Sequence, residues 1–191
     1  MKNVDKRAEI MQSALKIIAE HGFHGAPMAT IAEEAGVAAG TIYLYFESKD
    51  VLIAELYNEV EGNLIATLQE GYSTERPIRD RFIYLGTTLL RYHVEHPLQF
   101  RFIQQYHNSP YGAALRRDRF LGKTVESNIF IELMEQGMAQ QVLKDLPLMA
   151  ISAIAFGPLF VLARDHILGF IVADHTLIEQ VVAACWEGIR R

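Results

Sequence analysis

The stretch Pro27–Lys49, PMATIAEEAGVAAGTIYLYFESK, decides how the chain is read: two short helices meet at a tight turn and a longer helix follows. Pro27 fixes its own φ and lacks only an N–H that the first turn of a helix leaves unpaired, so it suits the first helical position. Met28, Ile31, Ala32 and Ala35 then recur at helical spacing. Gly36 stands where a helix ends in left-handed backbone, and Val37 can tuck between the two helices. A second helix, AGTIYLYF, begins at Ala38 or Ala39. It sends Ile42 and Phe46 (i, i+4) to the core and leaves Gly40, Thr41, Tyr43, Leu44 and Tyr45 outward.

An outward face of this kind suits duplex DNA. A helix fits the major groove, and its leading residues approach base edges only if they are small, as Ala38, Ala39, Gly40 and Thr41 are. Thr41 offers a hydroxyl and a methyl, while Tyr43 and Tyr45 carry hydroxyls on rigid rings suited to phosphate oxygens. Lys49, one turn into the next helix and just after Ser48 as N-cap, adds a charge and a helix N-terminus. Spacing alone also allows an ordinary helical hairpin with half-buried tyrosines.

The string TIAEEAGVAAGTIYLYFESKDVL resembles the DNA-binding region of the TetR/AcrR family of transcriptional regulators, through the pattern IA-x-x-AGV-x-x-GT-[IL]-Y-x-[YH]F-x-[ST]K-[DE]-x-L. The likeness is dense over residues 8 to 56, and beyond them it extends only to length and helical character. It implies an all-α fold of about nine helices: a three-helix helix-turn-helix domain over residues 1–47, then a helical ligand-binding and dimerisation domain over residues 48–191. It further implies a cytoplasmic homodimer on a double-stranded operator, controlled by a ligand, with repression the commoner mode. Carried over residue by residue, the DNA-contacting positions are Ala38, Ala39, Gly40, Thr41, Tyr43, Leu44, Tyr45 and Lys49. Two positions depart from the pattern. Ala26 and Pro27 stand where many members place a capping Thr or Ser, and Ala38 and Ala39 replace a polar residue, which shifts base reading toward apolar contact and Thr41.

Charge limits how DNA would be held. The 191-residue chain carries a net −5, and residues 1–50 contain five Lys or Arg against seven Asp or Glu, so binding is local rather than by bulk charge. Lys2, Lys6, Arg7 and Lys49 are the candidates for a positive rim. The single cysteine, Cys185, excludes an internal disulfide and a thiol metal set, and the charged N-terminus does not resemble a signal peptide. Neither a cofactor nor a metal is expected.

Periodicity places helices over 4–22, with Ile10, Ala14, Ile17, Ile18 and His21 on one stripe, over 48–71, and over 77–95, with Ile78, Phe82, Leu85, Leu89 and Tyr92 inward. Pro97 opens a helix through Tyr106, Asn108–Gly112 breaks it, and residues 113–139 resume, with Arg116, Arg117, Arg119 and Lys123 on a solvated face. Leu146–Ala163 has no charged side chain. It is marginal for a membrane span of about 20 residues and is interrupted by Gly157-Pro158, so a buried helix is the preferred reading. Thr176-Leu-Ile-Glu179 reads as a capping box opening the last helix.

These last two helices carry more apolar face than one chain covers, which predicts a four-helix interface between two copies. Aromatic and polarisable residues are dense in the middle helices: Phe82, Tyr92, Phe100, Phe102, Tyr106, Phe130, Met134, Phe156 and Phe160. They suit core filling, or a cavity for a small apolar or aromatic effector with His93, Gln104, Arg164 or His166 as polar anchors. No phosphate loop, metal-spaced His or Cys pair or nucleophile elbow appears, so an enzyme is not expected. His93 and His96 read as residues of a helix C-terminus stopped by Pro97, His21 as a charge partner at a helix C-terminus and His24 as a loop residue. The rival function is a helical small-molecule-binding protein without operator-specific DNA binding.

Overall fold

The structure is a computed structural model and describes residues 6–120 and 129–191, the side chains of Arg116, Arg119 and Phe120 excepted. The described residues hold nine α-helices: α1 Lys6–His21, α2 Met28–Glu34, α3 Lys49–Gln69, α4 Ile78–Glu95, α5 Pro97–His107, α6 Pro110–Phe120, α7 Ile129–Ala139, α8 Leu148–Ile167 and α9 His175–Ile189. Their only β pairing is an isolated antiparallel bridge between Leu143 and Arg190. The all-helical expectation holds.

Two compact units divide these helices. One runs through Asn63 and takes up the chain again from His96 through α6; the other comprises Leu64–Glu95 and the chain from α7 to Arg191. α5 packs on α1 and α6 on α5, so both group with the N-terminal helices.

In the first unit α1 presents Ile10, Ala14, Ile17 and Ile18 to a shared core, and Gly22 at φ +70° stops it. His21 is not on that buried stripe: its side chain is 58% exposed and lies 3.8 Å from Glu20. Ser48 caps α3 by accepting the Val51 N–H at 3.2 Å, and Leu52, Leu56, Tyr57 and Val60 of α3 reach the core. From α5 and the residues beside it, Phe102 meets Phe23 edge-on and Tyr106 stacks on Tyr57 with ring centroids 3.9 Å apart.

In the second unit α4 packs against α7, α8 and α9. Gly86 permits the close approach of α9: a Cβ there would lie 2.9 Å from a methyl of Val182. Ile151, Ala155, Phe156, Leu159 and Ala163 of α8, and Ile178, Val182, Cys185, Trp186 and Ile189 of α9, face inward. α9 begins earlier than the capping-box pattern suggests, because the Asp174 carboxylate accepts the Leu177 N–H at 2.8 Å and so provides the N-cap. α6 also starts earlier than expected, at Pro110, where the Ser109 carbonyl takes the Ala113 N–H. The middle of the helix expected over 113–139, with Lys123, lies outside the described residues.

Candidate functional site

Pro27 proves to be the N-cap of α2 rather than its first residue, with extended backbone (φ −66°, ψ 151°) and a carbonyl that accepts the Ile31 N–H at 3.1 Å. Met28, Ile31, Ala32 and Ala35 are buried as their spacing requires. Gly36 adopts φ +64°, and the chain reverses there with Gly36 and Val37 donating back to the Glu33 and Ala32 carbonyls.

The segment after the turn is not the second α-helix expected from AGTIYLYF. It is a single 3-10 turn, Ile42–Leu44, entered through a turn in which the Thr41 N–H reaches the Ala38 carbonyl at 2.8 Å. Gly40, β-branched Thr41 and Ile42, and three aromatic residues are weak helix formers, and so short a run cannot offset the cost of nucleating a longer helix. The outcome for the side chains is nevertheless the one the i, i+4 spacing calls for, since the Phe46 N–H bonds to the Ile42 carbonyl and both side chains are fully buried. Between these two anchors Tyr43, Leu44 and Tyr45 are forced outward and are 54%, 82% and 41% exposed. Ala38, Ala39 and Gly40 are exposed beside them and Thr41 is half-buried. Seven of the eight candidate contact residues therefore lie along this one segment, six of them exposed and Thr41 half-buried.

Lys49 is the exception. It is the first residue of α3, not one turn inside it, and its ammonium donates to the Phe23 carbonyl. Burial pushes its pKa below the ordinary value, with Asp50 opposing. The rest of the expected positive rim is similarly engaged: Lys6 pairs with Glu9 and Arg7 with Glu55, while Lys2 lies outside the described residues. Lys16 pairs with Glu34, whose hydrogen bond and charge raise the lysine pKa. Every Lys and Arg from residue 6 to 69 thus already has a partner within the protein.

The candidate ligand residues separate into groups. Phe82, Phe130 and Phe156 form one aromatic cluster, with Phe156 5.6 Å from Phe82 and 4.9 Å from Phe130. Trp186, which periodicity did not single out, completes it at 5.6 Å from Phe82. Met134 is fully buried on α7, Tyr92 is buried on α4, and the buried His93 ring lies 5.4 Å from Phe160. Phe100 and Gln104 belong to α5 in the first unit, as do Phe102 and Tyr106, whose rings fill the core there. Arg164 is exposed and pairs with Asp165 at 2.9 Å, and the His166 Nδ1 accepts the Ala173 N–H. Both are thus engaged by neighbouring residues of their own segment.

One polar group was missed. Arg81 interrupts the apolar stripe of α4 between Ile78 and Phe82, yet it is only 2% exposed. Its Nε and Nη2 donate to the Tyr72 hydroxyl at 2.9 and 2.6 Å, its Nη1 donates to the Gln136 Oε1 at 2.7 Å, and the guanidinium lies over the Tyr72 ring. A charged residue inside an otherwise apolar row was the available signal.

Comparison with known proteins agrees with this geometry. Residues 10–56 match bacterial regulatory proteins of the tetR family, and residues 77–190 match the tetracyclin repressor-like C-terminal domain. The chain is 36% identical over 76 residues to the fatty acid metabolism regulator protein of Bacillus subtilis, covering 40% of this chain and 39% of that one. To an HTH-type transcriptional regulator of Haemophilus influenzae it is 29% identical over 106 residues, covering 56% and 57%. The matched parts thus span about two fifths to three fifths of those curated relatives. The solved structure of a TetR family protein from Vibrio parahaemolyticus superposes with a TM-score of 0.74 at 30% identity, over 98% of this chain and 99% of that one. With a helix-turn-helix at one end and a matching C-terminal domain over more than half its length, the chain belongs to the TetR family of transcriptional regulators.

Proposed function

We propose that the protein acts as a cytoplasmic homodimer on a palindromic operator, that it represses, and that a small apolar or aromatic effector releases it. The observation that carries the reading is the exposed edge from Ala38 to Tyr45, anchored by the buried Ile42 and Phe46. An 82% exposed leucine buries little apolar surface within the fold, and beside exposed Tyr43 and Tyr45 it suits a partner that excludes water. Residues 1–47 are the DNA-binding domain, and Ala38, Ala39, Gly40, Thr41, Tyr43, Leu44 and Tyr45 face the groove. Lys49 acts there by fixing the start of α3 against Phe23 rather than as a mobile phosphate ligand.

Dimerisation through α8 and α9 is supported by the outward apolar side chains of α8 and of the segment that joins it to α9. Met149, Ile154 and Val161 on α8, and Leu168, Phe170, Ile171 and Val172 after it, are 40–79% exposed. α8 is long and apolar enough to cross a membrane by length and composition. Its packed inner face on α4 and α9, and Pro158 within it, favour a protein partner over lipid. The effector is assigned to the cluster of Phe82, Phe130, Phe156 and Met134, where apolar burial would favour one of two dimer geometries.

Selection of bound sequences from a random duplex pool tests the reading. An enriched palindrome is expected, and Tyr43→Ala with Leu44→Ala is expected to abolish enrichment while leaving the thermal midpoint unchanged. A pool without enrichment would leave a helical small-molecule-binding protein as the function.

A further inference from the structure

A guanidinium carries five N–H donors and a full charge, and a buried one is ordinarily matched by a carboxylate. Arg81 is not. Among the described residues its acceptors are the Tyr72 hydroxyl and the Gln136 amide, both neutral, and no Asp or Glu forms an ion pair with it. Three of its hydrogen bonds are accounted for, which leaves donor capacity over. The Tyr72 hydroxyl accepts twice and keeps its own hydrogen to give. Gln136 must turn its oxygen to Arg81, because a guanidinium only donates, so its NH2 is also free to give. Tyr72 is half-buried and Gln136 is exposed, so the cluster opens to solvent on that side.

We propose that Arg81, Tyr72 and Gln136 form a receptor for a small oxyanion. Replacing Gln136 by Glu would complete the ion pair with a side chain of the same length. The sequence instead keeps a neutral amide 2.7 Å from the cation, which leaves the charge available. The anion is either the carboxylate of an organic molecule or an inorganic phosphate. If it is the acidic group of the effector, that assignment rests on the regulatory reading above, whereas anion binding itself does not.

Thermal unfolding of the full chain in Tris chloride, titrated separately with sodium octanoate, 1-octanol and sodium phosphate, tests the receptor. Octanoate is expected to raise the midpoint where octanol does not, and Arg81→Gln is expected to weaken the apparent affinity about tenfold or more. Gln136→Glu is expected to raise the midpoint without ligand and to remove the response, and this variant carries the test should Arg81→Gln fail to fold. A phosphate response matching that of octanoate identifies an inorganic occupant, and a response to octanoate alone identifies an organic acid. A wild type indifferent to both anions, or a Gln136→Glu protein that still responds, overturns the proposal. Duplex selection run on the same proteins separates the two ideas: absence of a palindrome would remove the regulatory reading and leave an anion response standing.

Discussion

Leu44 is the most exposed large apolar side chain among the described residues, and its surroundings explain why it cannot retreat. Its backbone lies between the two buried anchors Ile42 and Phe46, so in the proposed complex with DNA its methyl groups would meet the groove, where the apolar feature is the thymine methyl. Leu44→Ala is expected to weaken operator binding by about 1 kcal/mol, roughly fivefold in Kd. Replacing the operator's thymines by uracil is expected to reproduce that loss in the wild type and to add nothing in the variant, a pattern that a fluorescence-anisotropy titration would read directly. A second residue in the same unit makes stability depend on pH. Hydrogen bonding to Asp50, assisted by burial, pushes the Tyr111 phenol up to about 12 from its ordinary 10.0. Because the folded value is the higher one, the stabilisation is complete below about pH 10 and is lost as pH rises toward about 12. Tyr111→Phe should flatten that alkaline limb in denaturant unfolding, and a limb as steep as the wild type's would show that the bond contributes nothing.

The turn between α2 and the 3-10 segment depends on one backbone conformation. Gly36 sits at φ +64°, and a Cβ added there would meet no heavy atom within 4 Å, so a substitution encounters strain and no clash. Gly36→Ala is expected to cost about 1 kcal/mol, and Gly36→Asn less, since Asn tolerates left-handed backbone better. Chemical denaturation monitored by circular dichroism would rank the three. This turn was readable because Gly36 and the hydrophobics at helical spacing before it each have one local reason to be where they are. The 3-10 geometry was not, because Ile42 and Phe46 are buried whether the turn is tight or fully α-helical, and pattern alone registers only the burial. The cap of α9 was misplaced for a related reason: Asp174 and Thr176 both fit an N-cap, and only the observed bond to Leu177 decides between them. The ligand residues were the least legible. Aromatic density along the middle helices has no address, and the structure sends Phe102 and Tyr106 to the core of one unit and Phe82 and Phe156 to the other. Arg81 was visible as an anomaly in an apolar row, yet its partners Tyr72 and Gln136 come from nine residues before it and 55 residues after it.

The described N-terminal residues offer DNA little free charge, and this sets the expected response to salt. With every Lys and Arg of residues 6–69 already partnered, few counterions are released on binding, and operator affinity is expected to fall less than about 30-fold between 50 and 200 mM salt. A titration that loses several orders of magnitude would mean that these pairs open to reach phosphates. In the proposed homodimer, weak electrostatics place the burden of affinity on having two heads, held together through the exposed face of α8. Ile154 and Val161 are seven residues apart, so they lie on one side of the helix, and Ile154 lies beside Gly188 of α9, where a Cβ would be 3.2 Å from its methyl. The apolar face of α8 thus runs up to α9 at Gly188, and a second copy could cover it with its own. Val161→Glu buries an unpaired carboxylate in such an interface, whereas Val161→Ala removes only two methyl groups. The Glu variant is expected to sediment as a monomer and to bind operator about a hundredfold or more weakly, because the second head no longer binds intramolecularly. The Ala variant should remain dimeric. A Glu variant that stays dimeric and binds operator normally would move the interface away from α8.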